Sequence, residues 1–339
     1  MREEIDEEGV KKIFLEEEDC ISDKEANDLE GHHLGEEHYD TLVEEDADVY
    51  KPNGEPLVRF RRRVIPQEKC DKAREGLKGA AKKTDNRGAA AGMFDKDRFP
   101  DSYAEKIEEN LVKEGKFRAT YETSSGKTRS VSNPVNSGIV GYYDSYPRIP
   151  YCRTTAYTKH NFEDYKQAVP FIQEVSDWFR KLIPEKWEIQ KTYVDSTTDA
   201  FVIPETVFTT VTVNKNFRTA VHTDAGDLRE GFGNLTVLEN GDYEGGHTIF
   251  PQFRVGVNCR KQDFLGMDVH EWHCNTPIEP VDEDFERISI VCYYREGMHN
   301  CGSKEREEKK KEQHKERLEK GKDVHEMKGN IMEEAGILG

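Results

Sequence analysis

A histidine and an aspartate two residues apart, His222 and Asp224, form the first group in this sequence with the chemistry of a metal site. On an extended backbone both side chains leave the same face and can bind one metal ion. The spacing alone carries little information, because about one such pair is expected by chance in a chain with 11 histidines. His38 and Asp40 form a second pair, but only His222 and Asp224 follow an apolar segment with strand periodicity.

A third ligand would complete a site for a redox-active iron. Two histidines and a carboxylate on one side of Fe(II) leave positions open for a bidentate co-substrate and for O2. His270 and His273 both lie roughly 50 residues further along the chain. We favour His273, because it comes just after a predicted strand, where the chain turns back across the mouth of a barrel; His270 is the alternative.

An arginine in an apolar strand pattern, Arg287, predicts an anion site near this metal. Arg287 and Ser289 point to one face of the strand, and Ile288 and Ile290 point to the other. A buried guanidinium is costly without an anionic partner. The distal carboxylate of 2-oxoglutarate would be such a partner, bound bidentately with help from the Ser289 hydroxyl. The alternative is an ion pair between Arg287 and a core acid such as Asp268.

Short strands must position these residues, since from about Phe201 to Arg295 apolar residues alternate between turn signals. The predicted strands are residues 207–213, 235–238, 247–250, 254–257, 264–269 and 287–294. Apolar spacing of three and four predicts helices over residues 164–182 and over 101–113, the second capped by Asp101. We therefore expect an α+β fold, with a double-stranded β-helix (jelly-roll) core and flanking helices.

Charge divides the 339 residues into segments, although the net charge is −18 overall. Residues 1–50 hold roughly 20 acidic against 4 basic residues, so we expect an acidic N-terminal extension that is disordered or forms a loose helix near residues 10–15. Residues 51–135 form a basic segment packed on the core, residues 136–300 the double-stranded β-helix core, and residues 301–339 a charged helix or tail.

The basic segment is a candidate contact for DNA phosphates. Arg61, Arg62 and Arg63 follow the aromatic Phe60, and Arg87 precedes a run of small residues that would let backbone approach a ligand closely. A solvated basic surface explains the same composition equally well.

Features of targeting and redox chemistry point to an intracellular protein without a membrane partner. The sequence has no run of 18 apolar residues, and its acidic first thirty residues do not resemble a signal peptide. Its seven cysteines are odd in number and lack paired spacing for zinc, so we expect reduced thiols.

Several passages together resemble the TET/JBP family, the Tet and J-binding-protein group of nucleic-acid dioxygenases. They are RGAAAG at Arg87, GIVGYYD at Gly138, CRTTAYT at Cys152, NFRTAVHTDAGD ending at Asp227, GFGNLTVL at Gly231, GGHTIFPQF at Gly245, DVHEWHCNT at Asp268 and RISIVCYYR at Arg287. They span about residues 87–298. The acidic head and the charged tail match nothing in the family pattern.

The resemblance assigns roles to individual residues. It places the family's iron triad on His222, Asp224 and His273, and its 2-oxoglutarate arginine on Arg287. Arg218 resembles a family arginine near the co-substrate. Asp227 matches a position that contacts the flipped pyrimidine, although a turn-capping acid is the alternative.

The resemblance also implies an activity. With Fe(II), 2-oxoglutarate and O2, such an enzyme oxidises the 5-methyl group of a pyrimidine in double-stranded DNA, and the base must leave the stack to reach the metal. We expect 5-methylcytosine to become 5-hydroxymethylcytosine or more oxidised forms; the alternative is thymine, giving 5-hydroxymethyluracil. A monomer acting on DNA would be nuclear in a eukaryote.

Two different classes of function stay open beside this activity. The triad and the arginine report only the co-substrate chemistry, so a protein or small-molecule hydroxylase could use the same fold. A non-catalytic reader of DNA could also have kept the fold, although the intact triad argues against it. The basic segment favours DNA over a protein or small-molecule substrate.

Overall fold

The computed structural model describes residues 1–334, with side chains described for residues 1–320, and this part of the chain contains seven α-helices. They are α1 (Asp23–Asp28), α2 (Gln67–Leu77), α3 (Asp101–Glu109), α4 (Ala156–His160), α5 (Phe162–Leu182), α6 (Pro184–Ser196) and α7 (Lys304–Glu334). The predicted stripe of α5 is buried. Pro184 separates α5 from α6, because a residue before proline avoids the helical region, and Ile183 has φ −140° and ψ 58°. Within residues 1–334 no helix has the length and hydropathy needed to cross a bilayer.

Strands form most of the remaining structure. In chain order they are β1 (Arg2–Ile5), β2 (Lys11–Phe14), β3 (Thr41–Val43), β4 (Ala47–Tyr50), β5 (Pro56–Arg61), β6 (Lys83–Thr84), β7 (Leu111–Glu114), β8 (Ala119–Glu122), β9 (Thr128–Val131), β10 (Val135–Tyr143), β11 (Arg153–Thr154), β12 (Thr210–Lys215), β13 (Gly233–Asn240), β14 (Tyr243–Gly245), β15 (Thr248–Phe250), β16 (Val255–Val257), β17 (Phe264–Met267), β18 (Cys274–Asn275), β19 (Ile278–Pro280) and β20 (Glu286–Tyr293). Each strand predicted between residues 207 and 294 is present, with its ends shifted by a few residues.

Two sheets form the core. The large sheet has the order β1-β2-β4-β5-β17-β13-β20-β12-β10-β11, with β6 paired to β10, and the small sheet has the order β18-β15-β16-β3. Apolar side chains from both sheets, such as Val237 and Leu265 of the large one and Phe250 and Val257 of the small one, meet in one cluster. This arrangement confirms the predicted α+β class with a double-stranded β-helix core.

The other face of the large sheet is covered by α2, α5 and α6. Ile288 and Ile290 of β20 point to this face and pack with Phe171 and Phe179 of α5. Because side chains alternate along a strand, Arg287 and Ser289 point between the two sheets instead. The alternation read from the sequence therefore sets which residues of β20 reach the interior.

The acidic segment differs from its prediction, since it is folded into both sheets. β1 pairs with β2, β2 lies parallel to β4, and β3 lies parallel to β16. Residues 11–14 form a strand rather than a loose helix. Ile13 and Val49 are buried in the cluster between the sheets, while most of the acidic side chains lie at the surface and Asp48 is buried. A few apolar residues at alternate positions are enough to hold this segment in place, because the edges of the two sheets supply partners for its backbone hydrogen bonds.

Residues 101–131 also depart from expectation in part. α3 ends at Glu109 rather than near residue 113, because Leu111 begins β7 and pairs with Tyr121 of β8. Asp101 is the first residue of the helix, and the capping position belongs to Pro100. Strands β7, β8 and β9 form a separate three-stranded antiparallel sheet.

The expectation of reduced thiols is wrong for two cysteines. Cys152 and Cys301, 149 residues apart in the chain, form a disulfide, and the other five cysteines are free. The bond joins the segment before β11 to the segment before α7. Sequence spacing could not show this, because the two cysteines approach only when the chain is folded.

Candidate active site

The two halves of the predicted metal site meet where the large and small sheets come together. His222 lies between β12 and β13, and His273 lies between β17 and β18. Their backbones exchange two hydrogen bonds, each with an N to O distance of 3.0 Å, and the amide of Asp224 donates to the carbonyl of Val269. These bonds fix distant parts of the chain to each other and bring the imidazole centroids within 4.4 Å.

The ligand atoms of His222, Asp224 and His273 all lie within 4.8 Å of one another. Nδ1 of His222 donates to the Ala220 carbonyl at 2.8 Å, and Nδ1 of His273 donates to the Glu271 carbonyl at 2.9 Å. A carbonyl can only accept, so each Nε2 keeps its lone pair. The two Nε2 atoms are 3.6 and 3.9 Å from the Asp224 carboxylate oxygens, on the side where a metal would bind.

The electrostatics of His273 also suit a metal ligand. Burial, and after it the neighbouring His222, lowers the pKa of His273 to about 4, so the imidazole is neutral near pH 7. Two neutral imidazoles and one carboxylate are the donor set of non-haem Fe(II) oxygenases. The residues therefore fit Fe(II), with each imidazole oriented by a backbone carbonyl.

The alternative ligand, His270, is directed elsewhere. Its Nε2 lies 3.1 Å from the carbonyl oxygen of Leu228, and its amide donates to Asp268. It is not part of the cluster formed by the other three residues. The preference for His273 over His270 therefore agrees with the geometry.

A cavity of about 620 Å³ opens beside the cluster. Polar side chains of the barrel interior, among them Thr212, Asn214 and Ser289, line one part of it, and apolar ones such as Leu235 and Val291 line another. A space of this size holds a co-substrate together with part of a larger substrate.

Arg287 is 1% exposed; it is not among the residues that line the cavity, but Ser289, on the same face of β20, is. One guanidinium nitrogen donates to the Gly246 carbonyl at 3.1 Å, while Nε has no hydrogen-bond partner. Within residues 1–320 no acid lies within ion-pair distance of it. Asp268 instead pairs with Lys51 at 3.1 Å, so the predicted alternative for Arg287 is wrong.

This buried arginine therefore needs an anion that the chain itself does not supply. A Cβ at Gly246, which has φ +69°, would lie 3.1 Å from the Arg287 Nε. The glycine lets the backbone pack tightly on the guanidinium. The unpartnered Nε is a donor from which a carboxylate, such as one of 2-oxoglutarate, could accept a hydrogen bond.

Arg218 and Asp227 are placed differently from each other. Arg218 donates to the Leu34 carbonyl at 2.8 Å and is not among the residues that line the cavity. Asp227 lines the cavity, is 7% exposed, and its Oδ2 has no hydrogen-bond partner. Burial, and secondly the charge of Asp224, raises the pKa of Asp227 well above its usual value. In the described chain no amide donates to this carboxylate, so Asp227 is not a turn cap.

Of the four arginines proposed to contact DNA, only Arg87 lies at the cavity. It donates to the Gly138 carbonyl at 3.3 Å, and its Nε has no partner. Arg61 is bound to Asp48 at 2.8 Å, and Arg62 to Glu45 at the same distance. The exposed Arg63 follows them, with its amide bound to Asp263.

Arg61 pairs with Phe264 at one end of β17, whereas Met267 at the other end of this strand lines the cavity. The run of three arginines is therefore separated from the site by the length of the strand. The structure does not bring Arg61, Arg62 and Arg63 together with Arg87.

Further residues line the cavity that the sequence had not indicated. Tyr293 and Arg295 are two of them, and the Arg295 guanidinium lies 3.9 Å from the centroid of the Tyr143 ring. Both continue the alternation of Arg287 and Ser289 along β20, so the period of two could have identified them. Lys113, Lys116 and Arg118 also line the cavity. The sequence does not indicate that these three residues lie at the cavity, because only the tertiary fold brings their separate sheet to it.

Comparison with known proteins identifies relatives of this chain. Residues 138–296 match the Tet_JBP family model, described as the oxygenase domain of the 2OGFeDO superfamily. The bifunctional helicase and thymine dioxygenase JBP2 of Leishmania infantum is 36% identical over 167 residues, covering 49% of this chain and 15% of the relative. The thymine dioxygenase JBP1-B of Trypanosoma cruzi is 39% identical over 168 residues, covering 48% of this chain and 20% of the relative.

A solved structure, NgTET1 in complex with 5mC DNA, is similar with a TM-score of 0.47 and 13% sequence identity, over 77% of this chain and 80% of that one. The chain spans less than a quarter of the length of the two curated relatives. The part of each relative that is aligned here is therefore a limited region of a longer protein.

Proposed function

We propose that the protein hydroxylates the 5-methyl group of thymine in DNA, a proposal supported by the match of residues 138–296 to the Tet_JBP oxygenase family model. The observation that carries the proposal is the cluster of His222, Asp224 and His273, together with the buried Arg287, whose Nε has no hydrogen-bond partner. Bound Fe(II) and 2-oxoglutarate, together with O2, supply the oxidising power that inserts one oxygen atom into a methyl C–H bond.

The residues of the chain hold and orient the reactants. His222, Asp224 and His273 would bind the iron through two Nε2 atoms and a carboxylate. Arg287 would bind the distal carboxylate of 2-oxoglutarate, with the Ser289 hydroxyl as a second donor. The apolar side chains around the cavity exclude water from the reacting methyl group.

The substrate base must enter the cavity as a whole, because a methyl group in a stacked duplex does not reach an enclosed metal. We propose that Asp227 contacts such a base, because it lines the cavity and its unpartnered Oδ2 can accept a hydrogen bond from an N–H group of the base. Thymine has such a donor at N3, and 5-methylcytosine has one in its amine. The carboxylate therefore accommodates both pyrimidines.

We infer thymine rather than 5-methylcytosine from the relatives. One of the two is called a helicase as well as a thymine dioxygenase, and the other only a thymine dioxygenase. This chain aligns with both, so thymine oxidation is the activity that their names share. We further propose that the protein acts as a monomer inside the cell, in the nucleus if the source is a eukaryote.

Mass spectrometry of nucleosides tests the proposal directly. After incubation with Fe(II) and 2-oxoglutarate, unmethylated duplex DNA should yield 5-hydroxymethyluracil, and a matched duplex carrying 5-methylcytosine tests the other pyrimidine. His222→Ala should abolish the product, and His38→Ala, which changes the other H-x-D pair, should not. Product formed without 2-oxoglutarate, or equal product from the His222 variant, would overturn the assignment. If only 5-methylcytosine is oxidised, the choice of thymine is wrong.

A further inference from the structure

The three-stranded sheet of β7, β8 and β9 lies at the edge of the cavity. One face of it, with Ala119, Tyr121 and Val131, packs on Ile107 of α3 and on Phe99. Tyr103 of the same helix exchanges a hydrogen bond with Tyr121 at 3.0 Å. The sheet therefore has its own apolar support and can present its other face in a fixed position.

The opposite face of this sheet looks into the cavity. Lys113 pairs with Thr120, and Thr120 pairs with Ser130, so the three side chains form one row across the three strands. All three line the cavity that contains the histidine cluster. The turn between β7 and β8 adds Lys116 and Arg118 to the same rim. Lysine, arginine and hydroxyl side chains are the groups that most often bind phosphate oxygens.

The cations of this rim are largely unneutralised. Within residues 1–320, Lys113 and Arg118 have no ion pair, and Arg118 donates only to the Asn86 carbonyl at 3.3 Å. Lys116 is 43% exposed and 3.5 Å from Glu30, a surface contact that neutralises its charge only weakly. The chain as a whole has a net charge of −18, so three cations with little compensation in one place are unusual.

From this arrangement we propose that the row Lys113–Thr120–Ser130 and the turn residues Lys116 and Arg118 bind the sugar-phosphate backbone of DNA next to the base that enters the cavity. The proposal rests on the proposed function for the identity of the polyanion. It transfers the phosphate-binding role from Arg61, Arg62 and Arg63 to this sheet. Arg87, at the cavity between the barrel and the sheet, remains part of the contact.

Salt dependence of DNA binding is the appropriate test, because each phosphate contact releases counterions. The triple variant Lys113→Gln, Lys116→Gln, Arg118→Gln is compared with wild type on a short thymine-containing duplex, with Fe(II) and 2-oxoglutarate present and O2 excluded. The slope of log K against log salt concentration should become shallower by about 2 to 3, since each contact contributes about 0.9.

Two further variants separate charge from folding. Lys159→Gln, Lys166→Gln, Lys181→Gln removes the same charge from exposed positions outside the basic segment, and it should retain the wild-type slope. The variant Lys113→Arg, Lys116→Arg, Arg118→Lys keeps the charge of the rim and should also retain the wild-type slope. A wild-type slope in the first triple variant would overturn the inference, as would an equal loss in the control variant.

These experiments distinguish a failure of the inference about the β7–β9 sheet from a failure of the proposed reaction. A protein that oxidises no pyrimidine but loses salt-dependent DNA binding in the triple variant would refute the proposed function and support the inference. A protein that hydroxylates thymine in DNA, and whose triple variant binds DNA like wild type, would support the proposed function and refute the inference.

Discussion

At the scale of single residues, Arg287 shows how a buried charge marks a binding site. It is the largest of the side chains that solvent does not reach in the described structure, and its Nε lacks a partner. A planar guanidinium offers two parallel N–H groups to a carboxylate, whereas an ammonium offers a single point of charge. The identity of the cation should therefore matter more than its charge.

Arg287→Lys should weaken the binding of 2-oxoglutarate by about 10- to 100-fold, since a hydrogen bond to a charged group contributes about 1.5–3 kcal/mol. Calorimetric titration of the iron-loaded protein without O2 measures this affinity. Arg254→Lys, at a partly exposed arginine paired with Asp40, is the matched control and should bind like wild type. Equal affinities in the Arg287 variant and wild type would contradict the co-substrate role.

The two histidines near the end of β17 give a second test at this scale. His273→Ala should lower the affinity for a divalent metal by more than the roughly 10- to 100-fold seen when only a group orienting a ligand is removed. His270→Ala should leave it unchanged, because that ring is bound to the Leu228 carbonyl. Anaerobic titration with Fe(II) separates the two variants, and a larger effect at residue 270 would reverse the assignment.

At the scale of elements, the turn before His273 is fixed by the N-terminal part of the chain. Lys51, 9% exposed, binds Asp268 at 3.1 Å and Glu271 at 2.9 Å. Burial disfavours its charged form, but the hydrogen bond to Glu271 and the charge of Asp268 together raise the pKa of Lys51 above its ordinary value. The carbonyl that orients His273 belongs to the same Glu271.

Lys51→Met should therefore reduce the free energy of unfolding by about 1–3 kcal/mol, because two partly buried acids lose their partner. This loss in unfolding free energy is smaller than the loss expected for a fully buried pair, since the side chains of Asp268 and Glu271 retain 18% and 25% exposure. Urea unfolding measures it. Lys72→Met, in an exposed pair with Glu68, should change stability by less than about 0.5 kcal/mol. Equal effects in both variants would show that the buried pairs contribute nothing.

What the sequence predicted at this scale depended on local periodicity. β20 and α5 were found because their apolar residues repeat at two and at three to four positions. The pairing of His222 with His273 followed from the strands between them. The strands of residues 1–50 were missed, because their few apolar residues are separated by acids and gain their stability from distant sheet edges.

Charge runs were the least reliable signal, because they do not reveal tertiary partners. Arg61 and Arg62 looked like phosphate contacts, yet acids of the N-terminal segment neutralise them. Lys113 and Arg118 lie close together in the sequence but form no charge run, and only the folding of β7 to β9 brings them to the cavity. Composition therefore indicated a basic segment, but it did not indicate which side chains of that segment lie at the cavity.

At the scale of the whole molecule, the N-terminal segment and the start of α7 are both fixed to the core. The N-terminal strands extend the large sheet, and the start of α7 is tied to the segment before β11. Glu307 of α7 is buried and accepts hydrogen bonds from the amides of Cys152 and Gly302 and from Lys310. The disulfide between Cys152 and Cys301 lies at the same junction.

Cys301→Ser should lower the free energy of unfolding by about 2–4 kcal/mol under non-reducing conditions, because the crosslink closes a long loop and restricts the unfolded chain. Adding a reductant to wild type should reproduce this loss, and it should not affect the variant further. Cys20→Ser, at a free cysteine outside the crosslink, is the control.

Thiol counting shows whether the crosslink is present in the purified protein. Wild type unfolded without reductant should expose five reactive thiols, whereas the chain contains seven cysteines. Seven reactive thiols would show that the bond is absent. The start of α7 would then be held by Glu307 and its three donors alone, and Cys301→Ser should leave the unfolding free energy unchanged.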